Sequence, residues 1–148
     1  MRGWLRAVHQ SERGYRHQLR TVVSATAAPY GYTLAVWSAG ALASRAVDAF
    51  PSTLDTLLLL GGAVAGFALL AGLAFGGFGE AFRPTPRRQV KVWGGMHVPA
   101  LGSSVLVCSG VVHVLRGHLI WLSVGFAATT TYLAVLAGQY WFTSVTGK

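Results

Sequence analysis

Four stretches of this chain are each apolar over more than about 18 residues, the length that crosses a lipid bilayer as a helix. They run roughly 22–47, 54–79, 92–115 and 118–145. A helix rises about 1.5 Å per residue, so about 20 residues cover a hydrocarbon core of about 30 Å. Each stretch slightly exceeds that, which permits tilt. The links between them are short: a turn at Pro51, a charged loop from Glu80 to Lys91, and a tight Arg116-Gly117 turn. Short links make sequential helices antiparallel. The sequence thus predicts an all-α integral membrane protein, an antiparallel four-transmembrane-helix bundle over residues 22–148.

Composition agrees. Charged residues make up 11% of the chain, against about 25% in an average soluble domain. One cysteine, Cys108, excludes an internal disulfide and a cysteine-based zinc site. The formal net charge of +8 is distributed unevenly. Arg2, Arg6, Arg13, Arg16 and Arg20 lie in the N-terminal arm, Arg83, Arg87, Arg88 and Lys91 in the middle loop, and Lys148 at the C-terminus. The other side of the expected bundle has only Arg45 and Arg116, near Asp48 and Asp55. The positive-inside bias then puts both termini and the middle loop in the cytoplasm of a multi-pass plasma-membrane protein. Topology accounts for the charge, so nucleic acid is not an expected partner. Anionic lipid headgroups at the cytoplasmic face are. The arginine-, alanine- and glycine-rich, lysine-poor composition suggests a bacterial origin.

Residues 1–21 lack the apolar core and cleavage site of a signal peptide. On a helix, Trp4, Val8, Tyr15 and Leu19 share a sector opposite the five arginines. This pattern suits a basic amphipathic interfacial helix whose arginines contact lipid headgroups. Gly3 and Gly14 weaken it.

The first span carries a seam of Thr26, Tyr30, Thr33, Trp37, Gly40 and Ser44 at alternating four- and three-residue spacings. A 3.5-residue period places them on one face. Such a line of hydroxyl, ring and small side chains suits a helix–helix interface or the wall of a narrow polar path, shielded from lipid tails. Pro29 favours a kink early in the span. Gly62-x-x-x-Gly66 and Gly72-x-x-x-Gly76 on the second span are helix-packing patterns.

On the third span, His97, Ser104 and Cys108 share a sector. An ionisable residue within a span is a candidate functional group, and histidine can change charge between about pH 5 and 8. His97 is therefore a candidate pH sensor; otherwise it is neutral and bonded to a hydroxyl or to the carbonyl freed by Pro99. His113 and His118 fit the interface. The fourth span adds Trp121, Gly125, Thr129, Tyr132, Gln139 and Thr143 on one broad side, with Tyr140, Trp141 and Phe142 as an aromatic belt.

All four carboxylates, Glu12, Asp48, Asp55 and Glu80, fall in the arm or near expected loops. That disfavours proton-coupled carriers, including the small four-span multidrug carriers, which depend on a membrane glutamate. Neither a metal-ligand cluster, a Cys-x-x-Cys nor a phosphate-binding loop occurs, so no cofactor and no enzymatic activity are expected. Two functions remain. The first is a homo-oligomeric channel for a small ion or neutral solute, with Ser104, Thr129, Tyr132 and Gln139 joining the first-span seam in its lining. The alternative is a non-conducting accessory or assembly subunit of a larger membrane complex.

Overall fold

The computed structural model describes residues 30–75 and 97–146, and every regular element in them is helical. Helix α1 covers 30–47, α2 Thr53–Phe75, α3 His97–Val114 and α4 Leu119–Thr146. Three of them, α2, α3 and α4, are long and apolar enough to cross a membrane. The 18 residues of α3 reach about 27 Å and match a hydrocarbon core of about 30 Å. The 28 residues of α4 reach about 42 Å, so this helix must tilt or project into the interface. The arm at 1–21, Thr26, Pro29, Gly76 and the loop from Glu80 to Lys91 lie outside the described residues.

Local chemistry sets the helix ends. After α1, the Ala49 N–H donates to the Ser44 carbonyl at 3.3 Å, and Asp48 takes a left-handed φ of 53°. Together these form a six-to-one helix stop. Helix α2 opens on a reciprocal cap. The Asp55 N–H donates to Ser52 Oγ at 3.2 Å, while the Ser52 N–H and Oγ–H donate to Asp55 Oδ2 at 3.0 and 2.7 Å. The turn into α4 pivots on Gly117, whose φ is 69°.

Helix α4 is the common packing partner. Against α2 the backbones nearly touch. A Cβ on Gly62 would collide with the Leu122 carbonyl of α4, and one on Gly125 with the Leu59 carbonyl of α2. Gly66 faces the Phe126 carbonyl and Thr129. Small residues here let two helices gain close van der Waals contact where lipid supplies no hydrophobic drive. Helix α3 runs antiparallel to α4. Ser104 Oγ–H donates to the Ala128 carbonyl at 3.0 Å and Cys108 Sγ–H to the Val124 carbonyl at 3.6 Å, so numbering rises on one helix as it falls on the other.

Helix α1 presents Gly31, Ala35, Ala39 and Ala43 to this assembly, all buried. The seam read from the sequence lies on another side. At about 100° per residue it centres about 160° from the buried stripe. Tyr30 is 66% exposed, Trp37 75%, and Thr33 is exposed too. Gly40 and Ser44 are half-buried, with Leu59 of α2 beside Gly40. Within one chain, the part of this seam from Tyr30 to Trp37 is thus not covered by the other described helices. The reason is steric: glycine and alanine at four-residue spacing allow close backbone approach, whereas tyrosine and tryptophan would hold the helices apart.

Candidate functional site

Side chains fill the interior in two layers. Near the 48–52 and 115–118 turns the layer is apolar. Ala39, Ala43, Cys108, Val112, Ile120, Trp121, Val124 and Ala128 form one buried cluster. Farther from those turns the layer is polar, built by α1, α3 and α4 around Tyr132.

Tyr132 is 1% exposed and His97 5%. Nδ1 of His97 and the Tyr132 hydroxyl share a hydrogen bond of 2.8 Å. Their rings lie nearly parallel, 14° apart in plane, with centroids 6.2 Å apart. Tyr32 of α1 tilts against Tyr132 at 5.9 Å, and its hydroxyl shares a 3.1 Å bond with Thr129 Oγ1. Gly31 makes the layer possible. A Cβ there would collide with the Tyr132 hydroxyl and sit 3.2 Å from His97 Cβ. The small residue on α1 thus opens the space that the tyrosine–histidine pair fills.

Two polar atoms in or near this layer are buried without a hydrogen-bond partner among the described residues: His97 Nε2 and Gln139 Oε1. Burying such an atom unpaired costs about 1–3 kcal/mol. The layer thus holds the imidazole through Nδ1 and leaves Nε2 for a further donor or acceptor.

Of the lining residues read from the sequence, Ser104, Thr129 and Tyr132 point inward and Gln139 is half-buried. Ser104 bonds to the Ala128 carbonyl, Thr129 to the Tyr32 hydroxyl and Tyr132 to His97, while the Gln139 oxygen has no partner among the described residues. Tyr30, Thr33 and Trp37 face away from them. The two sets do not meet on one surface of a single chain. Of the packing glycines, Gly62 and Gly66 abut α4, and Gly72 is half-buried on α2. Among the described residues no three metal-binding side chains converge.

Three features escape the sequence reading. The Gly31/Ala35/Ala39/Ala43 stripe was signalled by its four-residue spacing. The Ser52–Asp55 cap was signalled by Ser-x-x-Asp. The third is a pair: His118 Nδ1 lies 2.7 Å from Asp55 Oδ1 and links the start of α4 to the start of α2. Nothing local marks a contact between residues so far apart in sequence.

Comparison with family models, with known proteins and with solved structures finds no match. The site must therefore be interpreted from its own geometry.

Proposed function

We propose that this chain is a small multi-pass membrane subunit that works by helix–helix assembly rather than by conduction through its own interior. In this reading α1 extends to a fourth span, giving the antiparallel bundle. Both termini are cytoplasmic in a bacterial plasma membrane, in keeping with the arginine asymmetry. The outward seam on α1, centred on Tyr30, Thr33 and Trp37, docks against a larger membrane complex. The observation that carries this reading is the divergence of the two polar sets. The inward set is closed within its own bundle beneath an apolar layer, while the outward rings stand on a face that a neighbouring helix can cover. No catalytic step belongs to it.

A homo-oligomeric pore is the second reading. In its favour, Thr33 and half-buried Gly40 lie on the side of α1 that adjacent copies could enclose. His97 is the pH-sensing candidate in either case, because its ring is buried and held through one nitrogen.

Site-directed labelling tests the assembly reading. With Cys108→Ala as background, Trp37→Cys should resist a lipid-soluble maleimide in native membranes and react in the isolated detergent-solubilised chain. Equal reaction in both would remove the docking face. Ion flux through liposomes holding the purified chain alone would favour the pore instead. If His97 senses pH, His97→Gln flattens the flux or assembly response between about pH 5 and 8.

A further inference from the structure

A cleft of about 450 Å³ opens between α1 and α3 at the end of the molecule that carries the 48–52 and 115–118 turns. Leu42, Ala46 and Val112 give it an apolar floor, and Arg45, Arg116 and His113 a basic rim. Asp48 and Asp55 share this end, but neither forms an ion pair with the rim arginines. Neither guanidinium has a carboxylate within 4 Å or donates a hydrogen bond among the described residues. Asp55, at the same end, is occupied by His118 and Ser52. His113 donates Nδ1–H to the Ser109 carbonyl at 2.6 Å, which leaves Nε2 free to face outward.

Depth fits chemistry here. Arg45 stands in the last turn of α1 and Arg116 just past Val114, the end of α3. Helix α3 is about as long as the hydrocarbon core is thick. In a bilayer spanned by α3, both arginines would stand near the level of the lipid phosphates, beside the apolar floor. Guanidinium is suited to phosphate because its planar donors can bind two oxygens at once.

We propose that this cleft binds an anionic phospholipid of the membrane, with its phosphate held between Arg45 and Arg116 and the start of an acyl chain against Leu42, Ala46 and Val112. The apolar floor separates this occupant from a free phosphate, which would gain nothing from it. The site lies at the C-terminal end of α1, remote in sequence from the arginines of residues 2–20.

Photo-crosslinking tests it. The full-length chain is reconstituted in liposomes containing phosphatidylglycerol with a diazirine beside the glycerol backbone, and adducts are mapped by peptide mass spectrometry. Adducts should fall on residues 42–46 and 109–116. In the Arg45→Gln/Arg116→Gln double variant they should drop by about tenfold, and Arg45→Lys/Arg116→Lys should retain most of them. Both arginines are exposed, so the variants should fold, and a thermal melt in detergent checks this. Equal labelling by the phosphatidylcholine analogue, or no loss in the double glutamine variant, would overturn the proposal. Competition by inorganic phosphate would assign the cleft to a soluble anion and overturn it too. Labelling unaffected by inorganic phosphate supports the lipid.

Discussion

His97 Nδ1 and the Tyr132 hydroxyl lie 2.8 Å apart, deep between α3 and α4, and Gly31 of α1 leaves the room they occupy. Three helices thus meet at one polar contact. Removing the hydroxyl with Tyr132→Phe leaves the histidine nitrogen buried and unpaired, at an expected cost of about 1–3 kcal/mol. Gly31→Ala should act in the same direction, because the new methyl displaces that hydroxyl. Thermal unfolding in detergent measures both. A double variant that loses little more than either single one would show that they disturb the same contact.

The glycines of the α2–α4 contact make a sharper test, since their neighbours are backbone atoms that cannot turn aside. Gly125→Ala and Gly62→Ala should each destabilise the fold by about 1–3 kcal/mol. Gly102 and Gly138 are helical with nothing within 4 Å of an added Cβ. Their alanine variants should be neutral or gain up to about 1 kcal/mol from helix propensity. Equal effects at both sets would mean that α2 and α4 are not in close backbone contact.

At the end of the molecule that carries the 48–52 and 115–118 turns, Asp55 combines two tasks: it completes the cap of α2 and pairs with His118 of α4. Asp55→Ala should therefore lower the melting temperature more than His118→Gln, which removes only the pairing. His118→Gln in an Asp55→Ala background should add nothing further. Melting curves of the three variants provide the comparison.

The stop after α1 places a non-glycine residue in left-handed backbone, with Asp48 at φ 53°. Asp48→Gly relieves that conformation and should raise stability by about 0.5–1 kcal/mol, read from the same melts. A loss instead would mean that the Asp48 carboxylate contributes more than its backbone strain costs.

Some of this was visible in the order of residues alone. The apolar runs pointed to four membrane-length helices, and three of the described helices are long and apolar enough to cross a membrane, because hydrocarbon thickness fixes helix length whatever the helices touch. His97, Ser104 and Cys108 could be put on one face because helical periodicity is local. The same periodicity found the seam from Tyr30 to Ser44 but could not tell which way it points. Rotation about a helix axis is set by what packs against it, and two stripes on α1 competed for that role. The stripe with the smaller side chains lies inside, since only it lets the backbones approach.

What the chain alone determined, then, is that these segments are membrane-length helices with polar residues at fixed angular positions. Only the tertiary structure decided which positions meet. It joined His97 to Tyr132 and Asp55 to His118, turned Trp37 outward, and left Arg45 and Arg116 facing one cleft. Such pairings depend on distances between helices, and no local repeat in the sequence encodes them.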